Sequence, residues 1–173
     1  MKIVDITTMP GYFKTYIGHL EDCDLILALE TTGKLMFESE SYQLDLLNNK
    51  VYAPGKWTVK DILQHIIDTE RIFAYRALRF ARTDQTPLPG YDETEFANNS
   101  FANSRSLNSL LEELYLIRES SILLFKGLNE IQIQRVGICN DNQCQVLALG
   151  FAIAGHGVHH LKIIKERYYP LLK

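Results

Sequence analysis

Four long segments, each with an apolar stripe at helical spacing, predict an all-α protein: a four-helix bundle with a long crossover between helices two and three. That fold class rests on three observations. Apolar residues recur three and four apart over stretches of roughly 20–27 residues. Turn-forming residues gather in three separated connections rather than throughout the chain. The 173 residues show no internal repeat, low-complexity tract or splitting linker, so a single domain over 1–173 is expected.

Taken in order, Pro10-Gly11 breaks the chain before a first helix, expected from about Tyr12 to Glu38 on the strength of Tyr16, Leu20, Ile26, Leu27 and Leu29. Gly33 weakens its far end. Asn48-Asn49 and Pro54-Gly55 mark the first connection. Helix two has the clearest start: Thr58 can cap the free N–H groups while Asp61 answers it in a carboxylate form of the capping box. Trp57 is placed to fold back as a staple against Ile62. The helix runs to about Arg82, with Val59, Ile62, Leu63, Ile66, Phe73, Ala77 and Phe80 inward. His65 falls on that apolar side, where a lone histidine is more often a packed core residue than a ligand.

Residues 83–105 hold two prolines, a glycine and many side chains that compete for backbone hydrogen bonds, and read as a long loop. Helix three starts at the cap Ser106, carries Leu107, Leu110, Leu111, Leu114, Ile117, Ser121, Leu124 and Phe125 on one stripe, and ends at Gly127. A short hairpin fits around Asp141, with Ile131, Ile133 and Val136 before it. Helix four is expected from about Gln143 to Tyr168, stopped by Pro170.

The totals narrow the function. Apolar residues make up 46% and charged residues 23% of the chain, with a net charge of −3. A chain with a pI near 5.9 lacks the basic surface that nucleic acid requires, so a small-molecule substrate is the expected partner. No apolar run approaches the eighteen or so residues of a membrane span, and the N-terminus lacks a signal-peptide layout, so a cytoplasmic location without membrane contact is expected. Cys23, Cys139 and Cys144 are then reduced thiols, and a lone C-x4-C spacing is weak as a metal motif.

The chemistry concentrates in residues 155–160, Gly-His-Gly-Val-His-His. His156 and His160 stand four apart, so a helix presents both imidazoles on one face, a common way to offer two metal ligands. A patch of satisfied or exposed histidines fits the same spacing. A third ligand would decide between the two. The crossover, at about 3.3 Å per extended residue, is long enough to run back along a 25-residue helix, so helices two and three can be parallel and helix four antiparallel to both. That places His65, roughly 10 Å into helix two, at the depth of His156 and His160. Three neutral imidazoles converging without a metal would waste buried polar groups; with a divalent ion they make a three-histidine site with an open position, as in catalytic zinc.

The run Ala53-Pro54-Gly55-Lys56-Trp57-Thr58-Val59-Lys60-Asp61-Ile62-Leu63-Gln64-His65, followed by Asp68-Thr69-Glu70-Arg71, resembles the DinB-like family of metal-binding four-helix bundles. So does Ala154-Gly155-His156-Gly157-Val158-His159-His160, closing with Glu166-Arg167-Tyr168. The resemblance implies an up-down-down-up helix order and a divalent metal on His65, His156 and His160, with His159 outside the ligand set. It implies zinc or nickel first, manganese or iron as further options, and a homodimer. It also implies kinship with bacillithiol S-transferases and mycothiol-dependent isomerases, hence a low-molecular-weight thiol as co-substrate. Gly157 stands where a metalloprotease-like His-Glu pair would place its base. Asp68, three after His65, and Asp92, in the crossover, are the weak candidates for base or orienting partner; solvated carboxylates are the alternative for both. Trp57, Tyr91 and Phe96 would line a mouth for an apolar co-substrate.

The expected activity is a metal-dependent thiol transferase or hydrolase. A non-catalytic metal-binding stress protein and a metal-free structural bundle are the other readings. One further expectation owes nothing to the resemblance. Arg118 and Glu70 interrupt the apolar stripes of helices three and two, each twelve residues past its cap, so in parallel helices they stand level and can pair inside the bundle.

Overall fold

The structure, a computed structural model, describes residues 1–173 apart from the side chains of residues 34 and 35. Its α-helices are α1 (Phe13–Ile17), α2 (Leu25–Thr31), α3 (Lys34–Glu38), α4 (Ser41–Leu47), α5 (Val59–Ala81), α6 (Glu93–Ser100), α7 (Leu107–Lys126), α8 (Glu130–Ile133) and α9 (Val146–Ile163). A hairpin of β1 (Val136–Cys139) and β2 (Asn142–Gln145) precedes α9.

α5, α7 and α9 are the long members of the bundle, and their contacts fix their directions. Thr58 bonds Asn103 at the start of α5, Arg105 donates to Gln64 one turn on, and Arg118 meets Glu70 further along, so α5 and α7 run parallel. Tyr168, beyond α9, reaches Trp57 at the start of α5, while Arg135, before α9, donates to the carbonyl of Ala81 at the other end, so α9 runs antiparallel to α5. The fourth position is filled by α2 to α4. Leu25 packs at Gly150, and Phe37 lies near Gly157, so this limb climbs alongside α9. The order is up-down-down-up, as the resemblance implied.

That fourth position is not the continuous Tyr12–Glu38 helix expected from the sequence. The Asp24 carboxylate accepts from the Leu27 N–H at 3.1 Å and starts a new helix, after α1 has ended at Gly18. At Gly33 an added Cβ would lie 3.0 Å from Arg118 Cγ, so the break before α3 makes room for that side chain. The expected loop 83–105 also holds a helix, α6, started by Asp92. Helix four begins at Val146 rather than near Gln143, because Asn142–Gln145 pair with β1 in an antiparallel ladder. Asn140 and Asp141 take φ values of 49° and 58°, the left-handed pair that a two-residue I′ turn requires.

The stretch Val146–Leu172 is, against the sequence expectation, long and apolar enough by composition to cross a membrane. However, 72% of its apolar window is buried inside the bundle, which is how a core helix is used. Beyond Ile163 the helix loosens into a π-turn over Ile164–Tyr168 and a 3₁₀-turn that accommodates Pro170.

The core is two apolar clusters, not one. Phe13, Leu29, Phe73, Phe80 and Phe151 belong to the first; Phe37, Leu47, Ile62, Leu110 and Tyr168 belong to the second. Between them lies a layer of buried polar groups: His65, Thr69 and Glu70 on α5, Arg118 and Ser121 on α7, and His156 on α9. The Arg118 and Glu70 side chains are 3% and 2% exposed. Arg118 Nε and Nη2 each donate to the Glu70 carboxylate at 2.9 Å. Its Nη1 donates to the Leu29 carbonyl and to Thr32 Oγ1 at 3.1 Å, and Nη2 reaches the Ile153 carbonyl at 3.4 Å. One guanidinium therefore ties α2, α5, α7 and α9 together. Arg118→Met is expected to cost roughly 3–5 kcal/mol, since it strands a buried carboxylate. Adding Glu70→Gln should recover part of that loss, and a thermal-melt double-mutant cycle with strictly additive effects would count against the coupling.

Candidate metal centre

The capping box sets the start of α5: Thr58 Oγ1 accepts from the Asp61 N–H at 3.2 Å, and Asp61 accepts from the Thr58 N–H at 2.9 Å. With the first turn fixed, Ile62, His65, Ile66, Thr69 and Phe73 fall on the inward face. The Trp57 ring, ahead of the cap, lies 5.0 Å from the His65 ring. Tyr168, carried round by the π-turn, donates to the Trp57 carbonyl at 2.6 Å and holds it there. On the opposite side, Gly155 lets α1 approach α9 closely: an added Cβ would sit 2.6 Å from the Tyr16 carbonyl carbon. That approach sets the Tyr16 ring edge-on to His156, 4.9 Å between centroids.

Within this frame, His65 Nε2 lies 3.1 Å from His156 Nε2, which lies 2.9 Å from His160 Nε2. The ligand atoms of all three lie within 4.8 Å of one another, and this is the metal-competent cluster found among the described residues. Burial pushes the His65 pKa down to about 4. Burial first, then the neighbouring imidazoles, holds His156 and His160 well below the ordinary histidine range. All three are therefore neutral at pH 7, each with one nitrogen lone pair. A neutral ring nitrogen is donor or acceptor but not both, so the single His156 Nε2 cannot satisfy two facing nitrogens with one proton. A divalent cation would take all three lone pairs at once, so the donor set fits a metal.

His65 and His156 are buried, while His160 faces a cavity of about 330 Å³ shared with Tyr52, Trp57, Ile62, Thr94 and Tyr168. A second cavity, of about 320 Å³, opens on the Tyr16 side and includes Tyr12, Thr69, Arg76, Tyr91 and Glu93. The first turn of α6, with Glu93 and Thr94, borders both.

His159 lies outside the Nε2 cluster; its Nδ1 faces His19 Nε2 at 3.3 Å with the rings stacked. Asp68 accepts from Gln64 Nε2 at 2.9 Å and lies near Arg71, in a surface network with Arg105 and Glu113. Asp92 accepts the Thr94 and Glu95 N–H groups at 2.9 Å as the cap of α6. Its neighbour Glu93 lines the cavity on the Tyr16 side. Burial first, then the charge of Asp92, raises its pKa, and its own field helps push Tyr16 up to about 12 after burial. Phe96 packs on Tyr91 at 4.8 Å, and Tyr91 shares a 2.8 Å hydrogen bond with Thr69. Sequence reasoning missed Tyr16 as the neighbour of His156, His19 as the partner of His159, and Glu93 as a cavity-lining residue. The first two sit on and just after α1, a helix hidden within the longer apolar pattern of residues 12–38, and Glu93 carries no spacing signal.

A family described as the DinB superfamily matches residues 44–164. A protein of Oceanobacillus iheyensis, provisionally named a metal-dependent hydrolase, is 28% identical over 139 residues, covering 79% of both chains. One of Halalkalibacterium halodurans with the same provisional name is 28% identical over 168 residues, 96% of this chain and 84% of the relative. Among solved structures, YfiT from Bacillus subtilis, described as a probable metal-dependent hydrolase with an unusual four-helix bundle topology, superposes with a TM-score of 0.59 at 18% identity. That match covers 93% of this chain and 91% of YfiT, a likeness of fold.

One divalent metal per chain is expected by elemental analysis, with His65→Ala or His160→Ala losing most of it and His159→Ala retaining it. Equal retention by all three variants would refute the ligand set. The metal-free protein should also lose stability in acid. Its three ligand histidines have folded pKa values below the unfolded value near 6.5, so the unfolded state takes up more protons as pH falls. The stabilising contribution is present above 6.5 and shrinks until His65 protonates in the fold near 4. Between pH 7 and 5 the metal-free Tm should fall by on the order of 10 °C, and a flat Tm over that window would show that the imidazoles are not held neutral.

Proposed function

Because this chain belongs to the DinB superfamily, we propose that it is a metal-dependent enzyme of the hydrolase or thiol-transferase type, directing a water or a low-molecular-weight thiol at an electrophilic small molecule. The observation that carries this reading is the convergence of three neutral imidazole Nε2 atoms at 2.9 and 3.1 Å beside a cavity. A divalent ion there, of the kinds that imidazole donors suit, would supply Lewis acidity and lower the pKa of a water or thiol so that a nucleophile forms near neutral pH. The provisional names of the two bacterial relatives agree with the hydrolase branch.

The protein's own residues do the rest. His65, His156 and His160 hold the ion, and the Trp57 ring fixes the orientation of His65. Tyr52, Trp57 and Tyr168 give the cavity at His160 an aromatic wall that excludes water and packs an apolar co-substrate.

The test is turnover by metal-loaded protein of p-nitrophenyl acetate, and of cysteine with monobromobimane. Activity in either assay should vanish with the metal and in His160→Ala. Full metal occupancy with no turnover in either assay would make the site a sequestering one, and turnover that survives metal removal would sink the proposal.

A further inference from the structure

We propose that the cavity on the Tyr16 side is a carboxylate subsite read by Arg76, so that the substrate carries a carboxylate at the end remote from its reacting atom. Arg76 is 3% exposed. A buried guanidinium is ordinarily matched by a carboxylate, as Arg118 is by Glu70. Arg76 has none within ion-pair distance among the described residues: its Nη2 donates to the Pro89 carbonyl at 2.8 Å, and its Cζ lies 5.9 Å from the Phe73 ring centroid. Yet it lines a cavity of about 320 Å³, alongside the hydroxyl-bearing Tyr12, Tyr16, Thr69 and Tyr91. A planar donor fork among hydroxyl groups suits a carboxylate held by two parallel hydrogen bonds. Glu93 lines the same cavity without pairing to Arg76, and its charge disfavours a dianion more than a monoanion.

The subsite is aligned with the cluster. His65, Thr69, Phe73 and Arg76 form one stripe of α5, and the eleven residues from His65 to Arg76 rise about 16 Å. Both side chains lean toward the N-terminus, so the guanidinium lies on the order of 10–15 Å from the His65 ring along the axis. Only this alignment rests on reading the histidines as the reactive centre; the anion site stands on Arg76 and its cavity.

The experiment is calorimetric titration of the full-length, metal-free protein with butyrate, with its uncharged isostere butyramide, and with inorganic phosphate. Butyrate should bind and butyramide should not. Arg76→Gln should weaken butyrate at least tenfold, Arg76→Lys should weaken it less, and Glu93→Gln should tighten it several-fold. If Arg76→Gln does not fold, Arg76→Lys and the acid-against-amide comparison decide. The field of the guanidinium also reaches the Cys139 thiol. If a Cys139 thiolate holds Arg76, butyrate and butyramide give the same heat, and the proposal falls. It falls too if Arg76→Lys matches the parent, or if phosphate binds more tightly than butyrate. Because no metal is present, failure of the metal reading leaves this result intact; conversely, metal-dependent turnover without acid-selective binding would remove the subsite alone.

Discussion

The fold turns on Arg118. A single guanidinium with 2.9 Å contacts to Glu70, and further bonds to Leu29, Thr32 and Ile153, anchors three other elements to α7. Each ion carries a large desolvation cost in the interior, offset only if nearly every donor finds an acceptor. Here the acceptors come from helices that are distant in sequence, so the pair is satisfied only when α2, α5 and α9 are all in register. The break at Gly33 follows from the same demand, since a side chain there would crowd Arg118. Such a pair contributes less to stability than to the uniqueness of the packing.

The ion pair also belongs to a layer. Apolar clusters above and below are separated by His65, Thr69, Glu70, Arg118, Ser121 and His156, and the candidate metal centre is the part of that layer nearest the crossover. The charge of Arg118 lowers the His156 pKa further, after burial and the neighbouring histidines. His156 is therefore kept neutral by burial first and by nearby positive charge after it, while burial is the leading cause for His65 and His160. Ser121, whose buried hydroxyl has no hydrogen-bond partner among the described residues, belongs to the same layer.

The surroundings of the site come from irregular parts of the chain. α1, the crossover with α6, the hairpin and the π-turn after α9 each bring one wall. Gly155 admits α1; Gly137 admits Phe80 against the hairpin, where a Cβ would strike the ring. Leu88 bonds Ile138 and Asn140, so the crossover is stitched to the hairpin and positions Tyr91 and Glu93. The long helices thus supply the ligands, and the connections supply the cavities.

The sequence by itself determined the elements whose signals are local. The Thr58–Asp61 box started α5, Ser106 started α7, the apolar stripes set the inward faces, and a four-residue spacing put His156 and His160 on one side of α9. Equal distances from two caps even placed Arg118 level with Glu70, because helical rise is constant. Contacts between separate elements were not legible. The Asp24 cap and Gly33 are local signals masked by the longer apolar pattern of residues 12–38, and only the reason for the break at Gly33, a guanidinium on α7, lies outside that segment. Nothing local says that Glu93 lines a cavity, or that the buried Arg76 meets a carbonyl but no carboxylate among the described residues. A side chain's periodicity tells which face it occupies; what stands opposite is decided only when the other helices arrive, and there the tertiary structure alone assigned charge, neighbour and exposure.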